Sequence, residues 1–207
     1  LVQDQAALAE QDCDLLFAPD VGTMYPFGPA HSVSVRVPQI TDTLEGAHRP
    51  GHFDGMATVV CKLFNLVQPD VAVFGQKDFQ QLKVVERMVR DLGLPVKVVA
   101  APILRADDGL ALSSRNQYLS AQERARAPLI HDTLQKMREL LAQGHPWQAI
   151  EQTAVARLER AGFVPDYVAI RRADDLAEPA DGEREGLVAL AAARLGSTRL
   201  IDNLLFD

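Results

Sequence analysis

The hydrophobic pattern of the first half of the chain alternates between two periods. Apolar residues recur at helical spacing over 54–68 and 78–92, and short apolar runs rich in β-branched residues occupy 70–74 and 96–104. Buried strands that alternate with helices of about 10 to 15 residues are typical of parallel sheets. The pattern therefore predicts an α/β fold with a doubly wound parallel sheet.

Three weaker patterns precede these elements. Residues 1–11 read as a short helix, and the apolar run at 13–17 predicts a buried strand. Residues 31–37 alternate between polar and apolar, with valine at 33, 35 and 37, so they predict a half-exposed strand.

The second half has a different order of elements. Ser120 and Glu123 form a capping box that starts a helix, which should reach about residue 143 with a kink at Pro128. A second helix is predicted over 146–161. Three apolar runs rich in strand-forming residues follow, at 166–170, 187–193 and 199–204.

Helices followed by antiparallel strands predict a separate α+β layer. Gly196–Ser197 is a hairpin signal between the last two strands. We place the boundary near Arg105, which gives a larger domain at 1–104 and a smaller one at 105–207. Three aromatic residues are expected in the core of the second layer, namely Trp147, Phe163 and Tyr167.

Composition narrows the range of partners. The 207 residues are 47% hydrophobic and 24% charged, with a formal net charge of −7 and no basic run, which argues against nonspecific nucleic-acid binding. An acidic protein can still hold an anion in a local basic cleft. Cys13 and Cys61 lack metal-binding or CxxC spacing, so we expect buried free thiols and a reducing compartment such as the cytoplasm. No apolar run is long enough to span a membrane.

The first candidate site follows the strand at 70–74. Gly75 ends this strand, Lys77 and Asp78 come next, and a helical pattern begins directly after them. Ligands of α/β folds bind beyond the carboxyl ends of strands, and a lysine there can reach a phosphate. An ordinary βα turn with two solvated charges would have the same sequence, so this motif needs a second one.

The second candidate site lies in Arg105–Asn116, where Ser113, Ser114 and Arg115 follow a glycine turn. Arginine presents a planar fork that matches phosphate oxygens, and serine hydroxyls add hydrogen-bond donors. A solvated turn that caps the next helix is the alternative. Two such runs in one α/β chain favour a nucleotide site.

The segment 41–53 has a high density of ionisable residues, including Glu45, His48, Arg49 and His52. Histidines beside a carboxylate can indicate metal binding or acid–base chemistry. Their spacing matches no standard ligand pattern, so we predict no metal site. A loop that lines a substrate cleft and a solvated turn both remain open.

Four stretches of this chain resemble one family, the pantothenate synthetases (pantoate–β-alanine ligases). These stretches are Glu45–Phe53, Lys62–Asn65, Phe74–Gln81 and Asp108–Asn116, and the similarity continues to Arg199–Asn203. The resemblance implies an adenylyltransferase-like Rossmann domain followed by a smaller C-terminal lid. It also implies ATP as co-substrate with Mg²⁺ bound through its phosphates, (R)-pantoate and β-alanine as the other substrates, and a homodimer.

The resemblance assigns roles position by position. Lys77 would meet the β- and γ-phosphates and Asp78 the ribose side, while Ser113, Ser114 and Arg115 would hold phosphate oxygens. Gln81 would bind pantoate, and Glu45 and Arg49 would border that pocket. The implied catalytic residues are Lys77, Ser113 and Arg115. The implied ATP-binding residues are Gly75, Gln76, Lys77, Asp78, Leu104, Leu112, Ser113, Ser114 and Arg115.

The chain also departs from the family pattern. Family members begin with a strand, a Met-Gly turn and a His-x-Gly-His motif, and none of the five histidines here has that spacing. We therefore expect a first strand, part of the phosphate site and half of the pantoate site to be missing from this sequence. The alternative to an active ligase is an inactive nucleotide-binding or oligomerisation fragment. Another nucleotidyltransferase activity on the same fold and a purely structural remnant are further alternatives.

Overall fold

A computed structural model describes residues 1–206 of the chain. Its helices are α1 Val2–Glu10, α2 Val21–Met24, α3 Glu45–His48, α4 His52–Val67, α5 Phe79–Asp91, α6 Ala121–Arg126, α7 Leu129–Ala142 and α8 Trp147–Arg160. Its strands are β1 Val71–Gly75, β2 Lys97–Ala101, β3 Phe163–Arg172, β4 Leu187–Leu195 and β5 Thr198–Phe206. The chain divides into two compact units, Leu1–Ser34 and a second that begins at Val35.

The first unit contains α1 and α2 and no strand. The predicted helix over 1–11 is confirmed, whereas the predicted strand over 13–17 is wrong. This segment pairs with no strand of the described chain, and Leu15 is 83% exposed. An apolar run forms a strand only where a partner accepts its backbone hydrogen bonds. The expected burial of the cysteines is also wrong, because Cys13 is exposed and Cys61 is partly exposed, although both are free thiols.

The predicted parallel pairing is confirmed in the second unit. β1 and β2 run parallel, with a register from Val71 opposite Lys97 to Gly75 opposite Ala101. Full burial of this pair is not observed, since Val71 and Val73 are 52% and 65% exposed. The alternate residue Phe74 packs against the core, so only one face of the pair is covered by described residues.

Helices α4 and α5 confirm the predicted helical segments. The apolar face of α5 is buried as expected at Leu82, Val85 and Met88. The predicted strand over 31–37 is wrong, because the Val35 amide donates to the Thr58 hydroxyl of α4 at 2.8 Å instead of entering a sheet.

Strands β3, β4 and β5 form the predicted antiparallel sheet, in that order. Gly196 turns the hairpin between β4 and β5 with a φ of 58°, a conformation that favours glycine. One face of the sheet packs on α7 and α8, and the other face packs on α4 and α5. β4 is the central strand and is covered on both faces, which explains why its sequence is almost continuously apolar.

The capping box at Ser120 is present, and the long predicted helix is broken at Pro128 into α6 and α7. Trp147 and Phe163 lie in the predicted core. Tyr167 belongs instead to the opposite face of the sheet, because its side chain packs toward α3, with its ring centroid 5.9 Å from that of His48. No helix within residues 1–206 is long and apolar enough to cross a membrane. The parallel pair with its helices and the antiparallel sheet confirm the predicted α/β class with an α+β portion.

Candidate active site

A cleft lies where the end of β1 and the start of α5 face α3 and β5. Its lining is mostly polar and charged. The described lining residues are Glu45, Arg49, His52, Phe53, Lys77, Asp78, Phe79, Gln80, Gln81, Arg115, Tyr167, Leu190, Ala191, Arg199, Ile201, Asp202 and Asn203. The chain thus brings together at this cleft residues that are far apart in sequence.

Half of the predicted site residues line this cleft. The six that do so come from three separate motifs, and they are Glu45, Arg49, Lys77, Asp78, Gln81 and Arg115. The six that lie outside the lining are Gly75, Gln76, Leu104, Leu112, Ser113 and Ser114. Gln76 and Ser114 are next to lining residues and Gly75 precedes Gln76. The other three belong to the hairpin segment that leads to Arg115.

The 3₁₀ turn Gln76–Asp78 carries Lys77 from the end of β1 to the start of α5. Lys77 is partly buried, and within residues 1–206 its ammonium makes no hydrogen bond or ion pair. Burial lowers the Lys77 pKa, and Arg115 adds to this effect, while Asp78 and Asp202 oppose it. The cleft therefore contains a poorly solvated cation without a protein counter-ion in direct contact.

The backbone of this turn is held by β5. The Asn203 side-chain amide donates to the carbonyl oxygens of Gln76 and Lys77, both at 3.0 Å. Asn203 is only 2% exposed, and its Oδ1 has no partner within the described chain. Because the two carbonyl bonds are made inside the protein, they fix the path of the backbone that presents Lys77.

The neighbouring residue of β5 holds the second motif. Asp202 accepts hydrogen bonds from both terminal nitrogens of Arg105, at 2.7 and 2.9 Å, and Arg105 also donates to the Gly109 carbonyl at 3.0 Å. Burial opposes ionisation of Asp202, but contacts with His131 and Arg105 outweigh it and lower the Asp202 pKa. The His131 contact, at 3.6 Å from Nδ1 to Oδ2, is longer than a hydrogen bond. Adjacent residues of one strand therefore anchor both predicted nucleotide segments.

Leu104 and Leu112 are brought side by side by a hairpin. The Leu112 amide donates to the Leu104 carbonyl at 2.8 Å, and Gly109 turns the chain with a φ of 89°. Both leucine side chains are exposed, at 70% and 52%. The hairpin forms a small apolar surface next to the segment that ends in Arg115.

Ser113 caps the 3₁₀ turn Ser114–Tyr118, because its hydroxyl accepts a hydrogen bond from the Arg115 amide at 3.2 Å. Ser114 and Arg115 are exposed, and Arg115 reaches the cleft lining. Ser113 therefore has a local structural role, as the cap of the 3₁₀ turn that follows it. Its hydroxyl hydrogen remains available for donation to a ligand.

The short helix α3 positions Glu45 at the other side of the cleft. Gly46 is required here, since a Cβ at this residue would lie 1.9 Å from the Thr41 carbonyl oxygen. The two carboxylate oxygens of Glu45 face Arg49 at 3.3 Å and Arg199 at 2.6 Å. Burial, reinforced by the charge of Glu45, raises the pKa of Tyr167 beside them. This part of segment 41–53 is therefore a cleft wall, not a solvated turn.

Gln80 is a positioning residue that the sequence did not reveal. Its side-chain amide donates to the carbonyls of Ile40 and Thr43 at 2.6 and 2.8 Å, and its Oε1 accepts from the Glu45 amide at 3.1 Å. Gln80 is 5% exposed, so these bonds replace water completely. They tie α3 to α5, and both Gln80 and the adjacent Gln81 contribute to the cleft lining.

His52 extends the same wall, and its Nε2 lies 3.1 Å from the Nη1 atom of Arg49. Burial and the Arg49 charge lower the His52 pKa, so the neutral ring is favoured. Within residues 1–206, no group of three or more His, Cys, Asp and Glu side chains is arranged to hold a metal ion.

The other missed residues, Tyr167, Arg199, Asp202 and Asn203, all lie on the antiparallel sheet. A signal for three of them was visible in the sequence, because charged and amide residues interrupt an otherwise apolar strand at 199–206. Buried polar residues in a strand usually have specific partners.

Comparison with known proteins decides the family. The sequence model described as Pantoate-beta-alanine ligase matches residues 1–205. The chain belongs to the pantoate-beta-alanine ligase family. A relative from Stutzerimonas stutzeri (strain A1501), named pantothenate synthetase, is 56% identical over 208 aligned positions, which cover 100% of this chain and 72% of the relative. The pantothenate synthetase of Xanthomonas oryzae pv. oryzae (strain MAFF 311018) is 54% identical over 203 positions, covering 98% of this chain and 72% of the relative.

Solved structures of the family have the same fold. Pantothenate synthetase from Thermus thermophilus superposes with a TM-score of 0.88 at 48% identity, covering 98% of this chain and 73% of that one. The pantoate-beta-alanine ligase from Francisella tularensis, complexed with beta-gamma ATP and beta-alanine, has a TM-score of 0.77 at 29% identity, covering 99% of this chain and 69% of that one. The family resemblance read from the motifs is therefore confirmed.

Proposed function

We propose that this chain condenses (R)-pantoate with β-alanine to give pantothenate through a pantoyl-adenylate intermediate, with release of pyrophosphate and AMP. One observation carries the proposal beyond family membership. The cleft gathers Lys77, Asp78, Gln81 and Arg115, and Asn203 holds the backbone that presents Lys77. A site built in this way suits a reaction between two anions.

In the first step a carboxylate oxygen of pantoate attacks the α-phosphorus of ATP. A new O–P bond forms, the bond to the bridging oxygen breaks, and pyrophosphate leaves with its electron pair. Catalysis of such a step depends on holding the reactants in line and stabilising the charge on the leaving group. Lys77 and Arg115 have this role in the proposal, since both are cations at the cleft without a carboxylate in direct contact.

In the second step the β-alanine nitrogen attacks the acyl carbon of the adenylate. The C–N bond forms, the C–O bond to the phosphate breaks, and AMP leaves with that oxygen; the nitrogen loses its extra protons to solvent. Gln81 has the role of binding pantoate, since it lines the cleft on the helix that follows Lys77. Glu45 and Arg49 border the same pocket and are fixed by Arg199 and α3.

The remaining proposed ATP contacts use backbone and small side chains. A Cβ at Gly75 would meet no protein atom within 4 Å, so the fold does not require glycine there, and a close approach by a ligand would explain it. Gln76 is held by the same Asn203 amide as Lys77. The hairpin surface at Leu104 and Leu112 would face the adenine, and the Ser113 and Ser114 hydroxyls would donate to phosphate oxygens.

The residues present also fit Mg²⁺ that arrives on the ATP phosphates. Mg²⁺ is commonly bound by one or two carboxylates together with substrate phosphates and water. The cleft presents the carboxylate of Asp78, which makes no ion pair within residues 1–206. When bound, the ion would neutralise phosphate charge, in addition to the charge of Lys77 and Arg115.

The test is pyrophosphate release by the chain with Mg·ATP and pantoate, before and after β-alanine is added. The proposal predicts pantoate-dependent pyrophosphate first, and AMP with pantothenate only after β-alanine. Replacement of Lys77 by alanine should lower the rate by about 10²- to 10³-fold, while the exposed β2 residue Lys97, changed to alanine, serves as a matched control. ATP binding without turnover would reject the proposal in favour of an inactive nucleotide-binding fragment.

Several expectations from the sequence and from the family resemblance remain predictions. They are the Rossmann-type arrangement, the division into domains at 1–104 and 105–207, the homodimer and the cytoplasmic location. Sedimentation equilibrium of the chain would test the homodimer, and limited proteolysis near Arg105 would test the boundary.

A further inference from the structure

A second recess opens beside the catalytic cleft. It shares Glu45, Arg49, Arg115 and Arg199 with the cleft, and Arg194 and Asp166 are among the residues that complete its wall. Four arginines therefore surround one recess that contains two carboxylates. The excess of positive charge occurs in a chain whose net charge is −7.

The arrangement of Arg194 and Arg199 is unfavourable for the empty protein. These two arginines are directly opposite each other in the β4–β5 register. Like charges at directly opposite positions of an antiparallel pair destabilise a sheet. Arg199 is compensated, because it bonds to Asp166 and Glu45 at 2.6 Å each.

Arg194 has no such compensation. It is exposed, and within residues 1–206 neither Arg194 nor Arg115 makes an ion pair. Glu45 and Asp166 are already engaged by Arg199, so they are poor partners for further cations. The recess is thus lined by two arginines whose donor groups are free.

The geometry points to an oxyanion site in this recess, in which Arg194 and Arg115 receive the pyrophosphate that leaves the cleft. This inference rests on the proposed function, in which pyrophosphate is a product. Arg115 lies at the junction of cleft and recess, so it can contact a phosphate in either place. Pyrophosphate is favoured over the carboxylate of β-alanine, because its several negative charges can be neutralised by both of the arginines whose donor groups are free.

The experiment is calorimetric titration of the full chain with inorganic pyrophosphate in the absence of Mg²⁺. Arg194→Gln should weaken the affinity roughly tenfold or more, as expected for the loss of a charge-assisted hydrogen bond. Arg138→Gln, an equal charge change at an exposed position on α7, should leave the affinity within about twofold. Arg194→Lys should restore part of the affinity. The same proteins are also titrated with β-alanine, which distinguishes a pyrophosphate site from a site for the carboxylate of β-alanine.

Thermal unfolding without ligand separates binding from structure. Arg194→Gln should leave the melting temperature unchanged or raise it, because the substitution relieves the repulsion with Arg199. A lower melting temperature would identify a structural arginine and overturn the inference. No pyrophosphate binding by the parent chain, equal binding by Arg194→Gln, or a loss confined to β-alanine would overturn it as well. Turnover assays decide the proposed function separately, since equilibrium binding of pyrophosphate requires no catalysis.

Discussion

Replacement of Asn203 by alanine tests how the nucleotide loop is held. The change removes two hydrogen bonds of 3.0 Å to the carbonyls of Gln76 and Lys77. A hydrogen bond contributes about 0.5–1.5 kcal/mol net, so the loss should amount to roughly 1–3 kcal/mol. Part of it will appear as lower stability and part as displacement of Lys77. A loss of 1.4 kcal/mol in binding corresponds to about a tenfold weaker affinity for Mg·ATP.

Urea unfolding and calorimetric titration with Mg·ATP would measure the two effects on the same protein. Asn65→Ala is a matched control, because this exposed asparagine makes a hydrogen bond of 2.8 Å to the Cys61 carbonyl within α4 and lies outside the cleft lining. It should change stability by less than about 0.5 kcal/mol and leave ATP affinity unchanged. An Asn203→Ala protein that binds ATP as tightly as the parent would refute the positioning role, whatever its stability.

Three further predictions concern the cleft. Gly46→Ala should cost about 1–3 kcal/mol of unfolding free energy in urea, because its Cβ would lie 1.9 Å from the Thr41 carbonyl oxygen; unchanged stability would contradict the close approach. Mg·ATP affinity should fall as pH rises through the lowered pKa of Lys77, and Lys77→Arg should remove this dependence in titrations from about pH 7 to 10. The pKa of Asp202 is lowered in the folded protein, so its ionised carboxylate stabilises the fold above about pH 4, the pKa of an unfolded aspartate. This stabilisation is lost as the pH falls through the lower pKa of the folded state. The free energy of unfolding of Asp202→Asn, measured in urea, should therefore fall less on acidification than that of the parent.

Local sequence was sufficient where neighbouring residues determine the structure. The strand, glycine, lysine and helix of the first motif are consecutive in the chain, so the 3₁₀ turn that carries Lys77 follows from the pattern. The capping box at Ser120 and the hairpin turn at Gly196 are equally local. The continuous apolar run of β4 correctly indicated a strand.

Sequence pattern failed where burial depends on distant elements. Val73 has the composition of a buried strand residue, yet it is 65% exposed because its face of the parallel pair is not covered by described residues. The strand predicted over 31–37 does not form, because the Val35 amide donates to the hydroxyl of Thr58, 23 residues away. Periodicity reports which residues are apolar, but it does not specify what will pack against them.

The anchors of the candidate site were the hardest to predict. Asn203 and Lys77 are 126 residues apart, and Asp202 and Arg105 are 97 residues apart. Gln80 has the same residue type as Gln81 and gives no local sign that its side chain points inward to hold α3. Such contacts are determined by the register of β5 against the turn and the hairpin, which only the folded chain defines.

The fate of isotopic oxygen tests the central claim most directly. Pantoate labelled with ¹⁸O in its carboxylate would be incubated with the chain, Mg·ATP and β-alanine, and the AMP formed would be examined by mass spectrometry. If the carboxylate attacks the α-phosphorus, one labelled oxygen will appear in AMP and none in pyrophosphate. AMP without label would contradict the pantoyl-adenylate route, and label in inorganic phosphate would instead indicate attack at the terminal phosphate.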